Sequence, residues 1–147
     1  MPVTIYCDQS EDTVHVNTDD PNTYVPANQL LPYLCKYQKI VYNGELINGD
    51  SDLFRLFVEK GIKCVCCGCV GEVFQLRHDR KTKHPFITLY ALLPTKWKNS
   101  FKKVPMTKDH ILPKSFKGQD IMDNYQTMCS KCNNKKGNSL RDVKPDW

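Results

Sequence analysis

Residues 103–140 concentrate the side chains of this chain that could carry chemistry. They include a carboxylate next to an imidazole, an amide, and a thiol pair followed at once by a second amide. In chain order these groups are Asp109, His110, Asn124, Cys129, Cys132 and Asn133. A carboxylate, a histidine and an amide can converge on one cation, and two thiolates can hold another. The combination predicts metal-assisted hydrolysis.

A second cysteine cluster, CVCCGC, begins at residue 64. It contains two overlapping CxxC registers, Cys64/Cys67 and Cys66/Cys69. A residue of positive φ closes such a knuckle, and Gly68, directly after Cys67, suits that position. Gly68 therefore favours the Cys64/Cys67 register. Two knuckles supply the four thiolates that structural zinc prefers. The predicted ligands of one zinc ion per chain are Cys64, Cys67, Cys129 and Cys132. Because four closed ligands leave no position for water, the chemistry must lie elsewhere.

The composition is that of an ordinary globular protein, with 40% hydrophobic and 25% charged residues among 147. The sequence contains no apolar run near the ~18 residues that a membrane span needs. Its first residues have neither a basic n-region nor an apolar core, so we expect no signal peptide. The expected location is cytoplasmic, and the eight cysteines are expected to be reduced or metal-bound.

Charge is divided unevenly along the chain. Residues 1–60 carry four basic residues against nine acids, a net charge of −5, and residues 61–147 carry +10. The basic half also contains the Cys and His motifs. Because neutralising phosphates supplies most sequence-independent affinity, this distribution fits a nucleic-acid-facing site, and a merely solvated surface is an equal alternative.

The first 60 residues predict a small α+β lobe of unknown role. Alternating apolar and polar residues in VTIYC and TVHVN predict two short strands. Pro32 lies inside the helix-like LLPYLCKY and predicts a kink or two short pieces. NGELINGD at 43–50 predicts a turn-rich link. Residues 50–61 predict a helix that Asp50 or Ser51 caps and Gly61 ends.

The second unit, residues 61–147, has the more informative pattern. EVFQLRHD predicts a strand, and the apolar residues 84–94 predict a central strand. Residues 95–103 predict a basic connection that carries Trp97 and Phe101. The stretch around Asp109 predicts a strand that breaks at Pro113. A loop, a second strand (NYQTMC) and a helix (SKCNNKKGN) follow, which gives strand, loop, strand and helix around one point.

These residues resemble the HNH endonuclease family. The matching positions, in chain order, are Asp109, His110, Ile111, Pro113, Ser115, Gly118, Asp120, Asn124, Gln126, Cys129, Cys132, Asn133, Lys136 and Gly137. The resemblance covers roughly residues 61–140 and leaves residues 1–60 unexplained. It implies an α+β fold with a ββα-metal nuclease core, stabilised by the four-Cys zinc site, beside the small α+β N-terminal lobe.

The resemblance also implies a role for each catalytic position. His110 corresponds to the general base, Asp109 to a metal ligand, and Asn124 to the residue that orients the catalytic loop. Asn133 corresponds to the second metal ligand, where the family often has His. This Asn variant is similar to phage junction-resolving endonucleases and to the nuclease domain of RNA-guided effectors. Oxygen ligands from Asp and Asn suit Mg²⁺ or Mn²⁺.

The implied activity is metal-dependent hydrolysis of DNA, which leaves 3′-hydroxyl and 5′-phosphate ends. Histidine suits the role of base because its unperturbed pKa is about 6.5. Several lysines flank the site and are candidates for holding phosphates: Lys114, Lys117, Lys131, Lys135 and Lys136. The alternatives are a non-catalytic zinc-ribbon module that binds nucleic acid or serves a partner, and a toxin-like nuclease. The N-terminal lobe could mediate a homodimer or bind a partner protein.

Overall fold

The structure is a computed structural model that describes residues 3–137. Its elements follow in chain order: β1 (Val3–Asp8), β2 (Thr13–Thr18), β3 (Val25–Pro26), α1 (Ala27–Leu30), β4 (Lys39–Tyr42), β5 (Glu45–Asn48), α2 (Asp52–Lys60), β6 (Val73–His78), β7 (Pro85–Pro94), β8 (Phe101–His110), β9 (Tyr125–Cys129) and α3 (Ser130–Lys136). The mixture confirms the α+β class. None of the helices within these residues has the length and apolar run that crossing a membrane requires.

The first sheet has the strand order β1-β2-β4-β5. Strand β2 runs parallel to β4, and the other two pairs are antiparallel. The expected link at 43–50 is wrong in one respect, because it contains strand β5. Asn43 and Gly44 have φ angles of 49° and 83°, the positive values that a two-residue hairpin turn requires. The four-residue strand after this turn is too short for periodicity to predict.

Local signals predict the first helices correctly. Ser51 caps α2, since its Oγ accepts the Phe54 N–H at 3.1 Å. Gly61 ends the helix with a φ of 96°, and its N–H donates to the Phe57 carbonyl. The two short pieces expected around Pro32 are α1 and a 3-10 turn at Leu31–Tyr33.

The second sheet has the order β3-β6-β7-β8-β9, and every neighbouring pair is antiparallel. Strand β7 is its central strand, as predicted for residues 84–94. Strand β8 begins at Phe101, so the basic connection is shorter than the expected 95–103. Its ten residues lead directly to Asp109 and His110, which lie at the far end of the strand.

One hydrophobic core joins the two halves of the chain. Strand β3, from the first 60 residues, pairs with β6 in the second sheet. Helix α2 packs on β8 and β9, and the ammonium of Lys60 donates to the carbonyls of Met122 and Tyr125 at 2.8 and 2.6 Å. Buried residues of both halves, such as Phe54 and Met106, belong to the same cluster. The N-terminal half therefore supports the strands that carry the site.

Candidate active site

The candidate site lies on β8, β9 and α3, which form a strand–loop–strand–helix unit. In the β8–β9 pair Asp109 is opposite Gln126, and His110 is opposite Tyr125. Neighbouring residues of a strand point to opposite faces, yet Asp109 and His110 line the same cavity. This is possible because β8 ends at His110, so that the cavity wraps around the end of the strand.

Asn124 ties the ends of the loop together. Its side-chain oxygen accepts the Leu112 N–H at 2.8 Å, and its amide nitrogen donates to the carbonyls of Leu112 and Gln119 at 3.0 and 2.9 Å. Gly118 allows this compact path, because a Cβ there would lie 1.7 Å from the Leu112 carbonyl oxygen. The Asn124 amide and the close backbone approach at Gly118 therefore help to hold the loop between the two strands.

Asp109 is buried, with 5% of its surface exposed. Its Oδ2 accepts hydrogen bonds from Gln126 Nε2 and from Lys136 Nζ, each at 2.8 Å. Gln126 reaches it because the two residues are directly opposite in the β8–β9 register. Both donors use the same carboxylate oxygen, which fixes the orientation of the group toward the cavity.

Lys136 lies inside the site, although the sequence placed it among the lysines that face DNA. It is 7% exposed, and its ammonium also donates to the His110 carbonyl at 2.8 Å. The physical reason is helix geometry, because Lys136 is four residues after the buried Cys132 and so shares its inward face. The spacing from Cys132 is the sequence signal that could have found this position.

His110 is held by Asp120. The imidazole Nε2–H donates to Asp120 Oδ1 at 2.7 Å, and the ring meets the Tyr125 ring edge-on at 5.1 Å. Lys114 also pairs with Asp120, at 3.0 Å. Hydrogen bonding from His110, and then from Lys114, keeps the pKa of the Asp120 carboxyl below its usual value. Sequence reasoning matched Asp120 to the family pattern but gave it no role.

Asn133 is oriented from β8. Its amide nitrogen donates to Thr107 Oγ1 at 2.9 Å, and the Thr107 hydroxyl donates to the Met128 carbonyl at 2.6 Å. This chain of hydrogen bonds holds the amide plane of Asn133 against the sheet. Thr107 is a supporting residue that no sequence motif indicated.

An open cavity of about 200 Å³ brings these groups together. Its lining consists of Lys108, Asp109, His110, Pro113, Lys114, Asn133 and Gly137. Lys114 therefore lies at the cavity, whereas Lys117 and Lys135 are exposed side chains outside its lining and Lys131 is half-buried. Asp109 and Asn133 offer the hard oxygen atoms that suit Mg²⁺ or Mn²⁺, which commonly bind through one or two carboxylates, waters and substrate phosphates.

Four cysteines form a separate cluster beside this cavity. The sulfurs of Cys64, Cys67, Cys129 and Cys132 all lie within 4.8 Å of one another. Tetrahedral zinc with Zn–S bonds of about 2.3 Å requires sulfurs about 3.8 Å apart, and the Cys67 and Cys129 sulfurs are 3.8 Å apart. The cluster uses the Cys64/Cys67 register, and Gly68 follows it with a φ of 82°. The donor set and its spacing fit a structural zinc ion.

The thiols of this cluster have different surroundings, and burial raises the pKa of the Cys129 and Cys132 thiols. Burial opposes ionisation of Cys64, but hydrogen bonds from backbone N–H groups outweigh it and lower the pKa of this thiol to about 7. By contrast, burial raises the pKa of the Cys69 thiol, which lies outside the group of four. Because zinc binds the thiolate form, the local electrostatics assist the Cys64 ligand.

The cavity brings together a histidine held by a carboxylate and side chains with hard oxygen atoms, and a four-cysteine cluster lies apart from it. A family model described as HNH endonuclease matches residues 98–143, which include β8, the loop, β9 and α3 and cover less than half of the chain. This match supports the HNH endonuclease family that the sequence motif predicted. No curated protein and no solved structure matches the chain. An HNH domain implies a nucleic-acid substrate.

Proposed function

We propose that this protein is a metal-dependent DNA endonuclease with a ββα-metal core, which nicks one strand or cuts both and leaves 3′-hydroxyl and 5′-phosphate ends. The observation that carries the proposal is the shared cavity of Asp109, His110 and Asn133 within the HNH-matched segment. The net charge of +10 in residues 61–147 supports a polyanionic substrate.

In this proposal His110 is the general base. Asp120 accepts the Nε2–H, which fixes the tautomer and leaves Nδ1 with the lone pair that can take a proton from water. The Tyr125 ring restricts the imidazole from one side. A base that is already oriented in this way needs no rearrangement when the water attacks in line with the scissile bond.

Asp109 and Asn133 would hold the catalytic ion. The chemistry that bound Mg²⁺ or Mn²⁺ supplies at such a site is stabilisation of negative charge on the phosphate and the leaving 3′ oxygen. Gln126 and Lys136 occupy Oδ2 of Asp109, so we assign the ion-binding role to Oδ1. Lys136 also compensates the buried carboxylate while no ion is bound.

The remaining basic residues would hold the DNA. Lys114 extends from the cavity with 65% of its side chain exposed, and Lys117, Lys131 and Lys135 would contact phosphates further along the backbone.

Strand β1 lies at the edge of the first sheet, and an exposed strand edge can pair with another chain. A homodimer or a partner protein would bind there. An intracellular location and a phage origin remain part of the same proposal.

Purified protein is expected to convert supercoiled plasmid to nicked or linear DNA when Mg²⁺ or Mn²⁺ is added, and not when the ion is omitted. DNA ligase should reseal the nicks, because it requires the 5′-phosphate and 3′-hydroxyl ends that this mechanism leaves. Agarose gels before and after ligation measure both results. DNA binding without cleavage under every divalent ion and on several DNA forms would instead favour a non-catalytic zinc-ribbon module.

Lys136→Met is expected to destabilise the fold in buffer without Mg²⁺ or Mn²⁺, because the Asp109 carboxylate stays buried and loses its cation. Removing one partner of a buried ion pair costs about 3–5 kcal/mol. Adding Mg²⁺ or Mn²⁺ should raise the melting temperature of this variant more than that of the unchanged protein, since the ion restores the missing charge. Thermal unfolding followed by circular dichroism measures both effects.

The matched control is Lys81→Met, which removes the same charge from an exposed position in the turn between β6 and β7. It should leave both the melting temperature and its response to the ion almost unchanged. Equal behaviour of the two variants would show that Lys136 does not compensate Asp109.

A further inference from the structure

The turn between β7 and β8 presents two aromatic side chains to solvent. Trp97 is 79% exposed, the largest exposure among the large hydrophobic side chains of the described residues, and Phe101 is 64% exposed. The exposed lysines at 96, 98 and 102 lie beside them in the sequence. We call residues 95–102 the aromatic hairpin tip. Two large apolar side chains displayed together among lysines indicate a surface that is covered when a partner binds.

The backbone of the tip has a defined conformation. The Thr95 N–H donates to the Ser100 carbonyl at 3.1 Å, and the Ser100 N–H donates to the Trp97 carbonyl at 3.2 Å. Asn99 adopts a φ of 60°, and Thr95 Oγ1 accepts the Trp97 N–H at 3.2 Å. These bonds fix the backbone of the turn that carries Trp97. Little conformational entropy is therefore lost when Trp97 binds a partner.

The charge around the tip identifies the kind of partner. From Thr95 to Lys103 the sequence contains four lysines and no Asp or Glu. A protein partner of ordinary mixed charge has no need of such a uniformly basic strip, whereas a phosphate backbone does. Aromatic faces stack on bases, and apolar wedges at the end of a hairpin can enter a groove between base steps. Lysines on both sides of the aromatic pair would then contact the flanking phosphates.

The distance from the tip to the candidate site follows from the strand that joins them. Strand β8 runs without interruption from Phe101 to His110. Nine steps of about 3.3 Å separate these residues by about 30 Å, which equals about nine base pairs of a duplex at ~3.4 Å per pair. A duplex that is cut at His110 and runs along β8 would meet the aromatic hairpin tip about one helical turn away.

We propose that the aromatic hairpin tip is a second DNA contact, at which Trp97 and Phe101 pack against bases about nine base pairs from the scissile phosphate. This inference rests on the proposed nuclease function and extends it. It gives the protein an asymmetric footprint, with a requirement for duplex on one side of the cut. It also favours DNA whose bases are accessible at that distance, such as a nick, a bulge or a branch.

Fluorescence of Trp97 provides the direct test. The chain has two tryptophans, so a Trp147→Phe, His110→Ala variant leaves Trp97 as the reporter in a protein that binds DNA without cutting it. Titration with duplex DNA should change the emission of Trp97. In the His110→Ala background, Trp97→Ala should weaken DNA binding about tenfold, the usual effect of losing one stacked base contact. Trp97→Phe should restore most of the affinity, because its ring still stacks.

Duplex length separates stacking from a general loss of stability. Once the cut position is mapped, the duplex on each side is shortened in turn from about 15 to about 5 base pairs. The affinity of the protein with Trp97 should fall once one side becomes shorter than about nine base pairs, whereas Trp97→Ala should lose less affinity on the same shortening, because only its lysine contacts remain to be lost. Leu46→Ala is the control, because Leu46 is 62% exposed on the first sheet and far from β8 in sequence.

The outcomes distinguish this inference from the proposed function. If the protein cuts DNA but Trp97→Ala binds every duplex as tightly as before, the hairpin contact is wrong and the nuclease function stands. If Trp97 emission responds to protein concentration and not to DNA, the tip joins two copies of the chain and the inference is wrong. If the unaltered protein neither binds nor cuts any DNA, the proposed function itself has failed.

Discussion

Replacing His110 with Ala is expected to abolish plasmid cleavage in Mg²⁺ or Mn²⁺ while DNA affinity stays within about twofold. A positioned general base contributes about 10²–10⁴-fold to the rate, and no second histidine lines the cavity among the described residues. His110 is 23% exposed in its side chain, so its removal should not collapse the fold. Single-turnover cleavage rates and a binding titration on the same DNA give the two numbers to compare.

His15→Ala is the matched control, because His15 stacks on Tyr6 in the first sheet and takes no part in the site. Its cleavage rate should equal that of the unchanged protein. Asp120→Asn should have an intermediate effect, a loss of about 10–100-fold, because the imidazole keeps its place but loses the carboxylate that fixes its tautomer. Full activity of His110→Ala would remove this residue from the role of base.

Replacing Cys129 with Ser is expected to release zinc and to unfold much of the chain. Structural zinc sites in small domains contribute about 10–16 kcal/mol, which is comparable to the whole free energy of unfolding of a domain, about 5–15 kcal/mol. Cys129 is fully buried where β9 meets α3, so the change affects the unit that carries the active site. Elemental analysis should find one zinc per unchanged chain and less in the variant, and thermal unfolding should show the loss of stability.

Cys69→Ser is the control for this prediction, because Cys69 is partly buried near the cluster but outside the group of four. It should retain zinc and most of the stability. Whatever folded fraction of Cys129→Ser remains should still cleave, because the thiolate cluster shapes the fold and is not part of the chemistry. Loss of zinc from Cys69→Ser together with its retention in Cys67→Ser would assign the other register.

Short-range features of this protein follow from local sequence. The cap at Ser51 and the stop at Gly61 bound α2 because both act through hydrogen bonds within one turn. Strand β7 is central, as its long apolar run indicates, although Phe86 near its start is 43% exposed. Strand β5 escaped prediction because four residues carry too little periodicity, even though the Asn-Gly pair before it is a hairpin signal.

Contacts between residues that are far apart in the sequence depend on tertiary packing. Strand β3 is two residues long, and only its pairing with β6 makes it a strand. The first 60 residues predict a lobe of their own, yet helix α2 packs on β8 and β9 and strand β3 pairs with β6. No composition boundary reveals this, because a shared core depends on how surfaces fit and not on where the charge of the chain changes.

The sequence alone determined which chemical groups this protein brings to its site. The spacing of Asp109, His110 and Asn133, with the two cysteine pairs, identified the HNH segment and separated a thiolate cluster from a proposed oxygen-ligand site. Only the tertiary structure decided which group meets which. The β8–β9 register sets Gln126 opposite Asp109, and the inward face of α3 brings the Lys136 ammonium to the same carboxylate oxygen. Asp120 reaches His110 across ten residues of loop. Such pairings depend on register and helix packing over long sequence separations, and local propensity carries no information about either.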